Sequence, residues 1–236
     1  VSLTRALGWS LALLLCAGFG ALGHWQQQRG ADKAVLLAAW QAAMTAPALP
    51  VLPWTRSEQI RLPAAVEGEL GALPMGRWLL QDNARRGAAV GLKAYFVADL
   101  GSGRGLLIDA GWLPFDRARG LPALPPLPTR FRAEGLLVPW PGQGIKLAEP
   151  RWPAPGTPAL LLRIEREAIA ADAGVALIDG VLRLSPAAEF GFARDLDALP
   201  NTLPPEKHYG YALQWWGLAA ASLVVAVVLT LRSRSR

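Results

Sequence analysis

Two long apolar runs bracket a middle in which apolar residues come in short bursts. From Ala6 to Leu22 about 17 residues pass without a charge, the short limit for crossing a bilayer core. From Tyr211 to Leu231 about 21 do so, comfortably enough to span. Next to the first run, Ala31–Thr45 (ADKAVLLAAWQAAMT) carries Leu36, Leu37, Trp40 and Met44 at helical spacing and is stopped by Pro47 and Pro50. This stretch predicts a helix that continues the first span outward.

Beyond Pro53 the pattern shortens to bursts with strand character: Arg61–Leu70, Arg77–Gln81, Val90–Leu100, Gly105–Trp112, Thr129–Val138, Ala159–Glu165 and Val175–Leu184. Gly and Pro separate them. Thr129–Glu134 alternates polar and apolar residues, as a half-buried strand does. Glu165–Ala173 predicts a short helix, and Gly101-Ser102-Gly103-Arg104-Gly105 a hairpin turn, because a strand-like run follows where a phosphate cradle would need a helix. Leu121–Pro128 and Pro150–Pro158 read as stiff proline-rich connections.

The expected fold class is a membrane protein whose two transmembrane helices flank a mainly β, antiparallel and barrel-like α+β domain. The expected segments are a cytoplasmic start at 1–5, a span at 6–22, a helical extension and linker at 23–53, and an extracytoplasmic domain at 54–195. A return linker at 196–208, a second span at 209–231 and a basic tail at 232–236 complete it.

Composition supports the membrane reading: 52% of the 236 residues are hydrophobic and 18% charged, against roughly 25% charged in soluble domains. The net charge of +6 does not mark a nucleic-acid surface, since Arg5, Arg232, Arg234 and Arg236 lie outside the two runs and the middle without them is close to neutral. By the positive-inside tendency they predict both termini in the cytoplasm and the middle outside. A cleaved signal peptide remains the alternative for the first run, with Arg5 as its basic region and Ala21-Leu22-Gly23 as a cleavage site. The bulky Leu13-Leu14-Leu15 before Cys16 does not suit a lipidation site. One cysteine, two histidines and two methionines are too few for a disulfide or a soft-ligand copper site. His24 and His208 both fall at the ends of the apolar runs, and neither has a nucleophile and an orienting carboxylate in pattern, so an enzyme is not expected.

The junctions carry the candidate chemistry. Leaving the first run, Trp25, Arg29 and Lys33 recur every four residues on one helical face, with Gln26 adjoining. Approaching the second, His208, Tyr211 and Trp215 fall at i, i+3 and i+7. Interfacial anchoring by aromatic rings and snorkelling cations explains these as simply as ligand binding does.

Gly23-His24-Trp25-Gln26 with Arg29 and Lys33, then Gly111-Trp112-Leu113-Pro114, then Lys207-His208-Tyr209-Gly210-Tyr211-Ala212-Leu213-Gln214-Trp215-Trp216, resemble in that order the signatures of the surfeit locus cytochrome c oxidase assembly family. The resemblance implies an assembly factor of the bacterial inner membrane, with its central domain in the periplasm, that helps mature the haem a centre of a haem-copper oxidase. It does so by handling haem a or by stabilising the catalytic subunit. Implied partners are that catalytic subunit, a haem a synthase and membrane lipid; the implied cofactor is transient haem a. His208 falls on the family's histidine and would ligate the haem iron, with Tyr211 and Trp215 beside it. Arg29 and Lys33, by charge, would meet the propionates. Trp25, Gln26, Gly111, Trp112, Pro114 and Gln214 are carried over as family-motif residues, whereas His24 matches none. The chain departs from the family at Asp109-Ala110, where an Asn-Arg pair is usual. The rival reading is a haem-free two-span envelope scaffold that binds a membrane or periplasmic partner.

Overall fold

The computed structural model describes residues 3–51, 60–115, 121–142, 150–198 and 202–233. Arg234 and Arg236 of the expected basic tail, Pro53, and Pro200 of the return linker lie outside them. The chain divides into two compact units, one of Val1–Ala38 with Thr202–Arg236 and one of Ala39–Asn201.

The first unit is a helix pair. Helix α1 runs unbroken over Leu3–Thr45, so the expected extension is continuous with the first apolar run. The last helix of the chain covers Pro205–Arg232, with Pro205 in its first turn where a missing N–H costs nothing. Both are long and apolar enough to cross a membrane, with windows of mean hydropathy 1.8 and 1.9. They are antiparallel: Trp9 Nε1 donates to Thr230 Oγ1 at 3.0 Å near one end, and Lys33 Nζ to the Leu203 carbonyl at 2.5 Å near the other. The inward positions of α1 are Ala12, Cys16, Phe19, Gly23, Gln26, Gly30 and Lys33; those opposite are Pro205, His208, Ala212, Trp215, Ala219, Ser222 and Ala226. Both series alternate steps of three and four, the spacing of a coiled-coil seam. Small residues let the backbones approach. A Cβ at Gly30 would come within 2.7 Å of the Tyr209 ring, and one at Gly23 would collide with the Trp216 indole.

The second unit is a sheet of eight strands: β1 Leu49–Pro50, β2 Ala64–Ala72, β3 Leu79–Arg86, β4 Ala89–Gly101, β5 Arg104–Pro114, β6 Phe131–Val138, β7 Ala159–Leu161 and β8 Ala176–Leu184. A short helix α2, Arg166–Ala173, stands before β8 and ends on Gly174 in the left-handed region, and the last helix is therefore α3. Strand order is β1-β2-β6-β8-β5-β4-β3-β7. Gly71 and Ala72 of β2 also pair with Asp99 and Ala98 of β4, so the pairing returns from β4 to β2.

The sheet is mixed: the long ladders β2·β6, β3·β4, β4·β5 and β6·β8 are antiparallel as expected, whereas β1·β2, β3·β7 and β5·β8 are parallel. A parallel neighbour needs a long crossover, and burst spacing does not say where the chain comes back. The predicted Ala159–Glu165 strand shrinks to three residues, and β1 was not anticipated. The turn between β4 and β5 is a hairpin as expected; Ser102 and Gly103 both have positive φ, 53° and 71°, which matches the twist of the flanking strands.

Strands β4 and β5 are buried on both faces. Leu92, Ala94, Phe96 and Ala98 join one core with Leu106, Ile108, Trp78 and Phe131. Tyr95, Val97 and Leu107 join another with Ile169 of α2 and with Trp40 and Ala43 from the last turns of α1. Residues 39–45 of α1 thus belong physically to the sheet unit, and Trp40 Nε1 donates to the Leu196 carbonyl at 2.8 Å.

Candidate functional site

Seam spacing turns His208 inward. Its side chain is only 7% exposed, and Nδ1 lies 2.7 Å from Gln26 Oε1 across the helix pair. An amide oxygen only accepts, so Nδ1 carries the proton and Nε2 the lone pair. Nε2 is buried and has no hydrogen-bond partner. A buried polar atom left unpaired is uncommon enough to need a reason, and metal ligation through the ring nitrogen opposite an orienting hydrogen bond is one. The imidazole stands one residue before the apolar run 209–231. Burial first, then the charges of Lys33 and Arg29, hold its pKa below the ordinary value, so it is neutral at physiological pH.

Of the residues singled out from sequence, the structure brings Gln26, Arg29 and Lys33 into the surroundings of His208. Lys33 is fixed by the Leu203 carbonyl, while Arg29 is exposed. Trp215 follows His208 along the seam and stacks on Phe19 with ring centroids 5.6 Å apart. Tyr211 lies beside the seam, 41% exposed, so the face drawn through His208, Tyr211 and Trp215 is split by the neighbouring helix. Trp25 is 55% exposed and Gln214 is exposed as well, both outside the seam. His24 is exposed and bonds within its own helix to Gln28 at 2.9 Å. The pairing of Gln26 with His208 was not read from sequence, although Gly23 and Gly30, seven apart around Gln26, mark which face of α1 meets another helix.

Gly111, Trp112 and Pro114 belong to the sheet unit, where the first two have a structural task. Gly111 has φ 112°, and a Cβ there would meet the carbonyl oxygens of Ala193 and Phe192 at 2.9 Å. The segment after β8 docks on this spot: Trp112 N–H donates to the Ala193 carbonyl at 2.7 Å and Phe192 N–H to that of Ala110 at 2.7 Å. Trp112 Nε1 reaches the Ala84 carbonyl at 2.9 Å. Arg194 clamps the same segment, donating to the carbonyls of Ser185, Phe192, Ala188 and Ala110. Its burial holds the guanidinium below its usual range, with Asp109 acting the other way. Pro114 is exposed at the end of β5.

Asp109 sits beside this docking spot, 5% exposed. Lys93 Nζ is 2.7 Å from Oδ2, Arg183 Nε 3.8 Å from it, and the Gly111 N–H donates to Oδ1 at 3.2 Å. Burial, reinforced by this carboxylate, pushes the Tyr95 phenol well above its ordinary pKa. The departure at Asp109 thus buries a carboxylate among cations already on neighbouring strands.

The chain thus has two apolar helices that flank a mixed sheet in the sequence, and one buried imidazole whose Nε2 has no hydrogen-bond partner. The chain belongs to the SURF1 family, which it matches over residues 13–220. That family is one of assembly factors associated with cytochrome oxidase, not of catalysts. No curated protein matches the chain.

Proposed function

We propose that this protein assists maturation of a haem-copper cytochrome c oxidase by holding haem a on its way into the catalytic subunit, with His208 as the iron ligand. One observation carries the reading: the buried His208 ring, whose Nδ1 is tied to Gln26 and whose Nε2 has no partner. Imidazole is a common axial ligand of haem iron. The Nδ1–H tautomer leaves Nε2 available, and the depressed pKa keeps it unprotonated. Lys33 and Arg29 supply the charge that propionates require, and Trp215 an apolar wall. Haem a, when bound, supplies the redox centre destined for the oxidase; this chain binds, orients and releases it. Because Nε2 is enclosed, the seam has to open at the level of Gln26 and His208 for the ring to reach an iron.

The full chain purified in detergent from haem-a-producing cells is expected to carry a Soret band that His208→Ala abolishes at equal protein level. An unchanged band in His208→Ala defeats the ligand assignment. A second reading, haem-free scaffolding of the catalytic subunit, is favoured by the same enclosure of Nε2, and it predicts no band in the wild type.

The reading includes an inner-membrane location with both termini in the cytoplasm and the sheet unit in the periplasm, supported by two apolar helices and by Arg5 and Arg232 at their far ends. Reporter fusions at Gly103 and at the C-terminus are expected to report opposite compartments. An active cytoplasmic reporter at Gly103 overturns it.

A further inference from the structure

The half of the helix pair remote from His208 holds a groove of about 620 Å³. Small residues line it, Gly8 and Ala12 on α1 and Ala221 and Ala226 on α3. One end is polar, with Thr4, Arg5, Thr230 and Ser233; the other is apolar, with Leu15, Phe19 and Leu218. No carboxylate lines it among the described residues. Arg5 is half-buried at the polar end, where its Nη2 donates to Ser233 Oγ at 2.9 Å.

We propose that this groove is a binding site for one acyl chain of an anionic glycerophospholipid, whose phosphate sits on Arg5. The inference rests on reading the two helices as membrane spans. Dimensions select the occupant. From Thr4 to Phe19 the helix rises about 22 Å, so the groove reaches more than halfway through a hydrocarbon core of ~30 Å. A helix with its side chains would need roughly 1,700–2,500 Å³ over that length, well above the space in the groove. An α-helix with its side chains, about 10–12 Å across, does not fit; a single hydrocarbon chain does. The gradient from a cation to bare apolar walls is the gradient of an acidic amphiphile, and an empty groove would forfeit the dispersion contacts of its lining. A guanidinium offers phosphate oxygens a paired fork of donors.

The test uses the full chain in nanodiscs of equimolar phosphatidylglycerol and phosphatidylcholine, with lipids retained on release counted by native mass spectrometry. The wild type is expected to keep the anionic lipid about fivefold over the zwitterionic one, the scale of one arginine at an anionic surface. Arg5→Gln is expected to bring the ratio to near one, and Arg5→Lys to keep most of it. Gly8→Leu puts its Cβ where nothing lies within 4 Å and its branched end toward the groove that Gly8 lines, and it is expected to lower retention of both lipids. Arg232→Gln, outside the lining, is expected to leave the ratio unchanged. Equal retention of both lipids by the wild type, unchanged retention in Gly8→Leu, or an Arg232→Gln effect as large as that of Arg5→Gln each overturns the site. Release of the chain from membranes by alkaline carbonate would instead sink the membrane reading, independently of the lipid ratios.

Discussion

Asp109 in the sheet unit and His208 in the helix pair are the buried charged or polar side chains among the described residues, and their surroundings treat them in opposite ways. Asp109 is met by the Lys93 ammonium, the Arg183 guanidinium and the Gly111 N–H. His208 has one nitrogen satisfied by Gln26 and one left bare. A buried carboxylate is tolerable only when paired, so the first arrangement is what folding demands. Leaving a polar atom unpaired costs stability without structural return, so the second arrangement points to use outside the folded chain itself. The comparison teaches that a buried polar residue is read by its unpaired atoms, not by its burial.

The comparison breaks first at Asp109. Asp109→Ala removes the acceptor that Lys93 and the Gly111 N–H share, while Arg183 keeps Asp195, and is expected to destabilise the sheet unit by about 3 kcal/mol, read from the denaturant midpoint of the full chain in detergent. Haem retained per folded molecule should not change. A loss below about 1 kcal/mol would mean that water replaces the carboxylate there.

Gln26→Leu tests the other side. It removes the acceptor that fixes the His208 tautomer and is expected to weaken haem retention about tenfold, the usual scale for losing a partner that orients a metal-ligating histidine. Nδ1 is then unpaired as well, so stability is expected to fall by about 1 kcal/mol, and retention is compared per folded molecule. Retention equal to wild type would show that Nδ1 needs no fixing.

The smallest effect is in the pH dependence of the haem-free protein. The folded pKa of His208 lies below the unfolded value, so the folded chain binds the proton less readily than the unfolded chain. The stability this neutral ring allows is present above the unfolded value of about 6.5 and is lost as pH falls through and below it. Between about pH 7 and pH 5 the melting temperature should therefore drop more steeply in the wild type than in His208→Ala. Parallel slopes would show that the ring is protonated as easily in the folded protein as in water.

Much of the architecture was legible in sequence because it depends on local period. The apolar runs, the strand bursts along β4, β5, β6 and β8, the helix α2 and the hairpin at Ser102-Gly103 each follow from spacing of apolar residues or from turn chemistry. The site was legible only in part. His208, Gln26, Arg29 and Lys33 can be named one by one, yet helical spacing alone does not say that the partner helix covers His208 and leaves Tyr211 41% exposed.

By itself, then, the sequence determined which segments are helices and strands, where charge is excluded, and which family blocks occur in order, all properties of neighbours along the chain. Only the tertiary structure decided that β5 and β8 run parallel, that Gly111 must be glycine because the segment after β8 docks on it, and that Asp109 is paired while His208 Nε2 is not. Each depends on residues brought together from distant parts of the chain, 182 positions apart for Gln26 and His208, and pairing at that separation is set by packing, which no local period encodes.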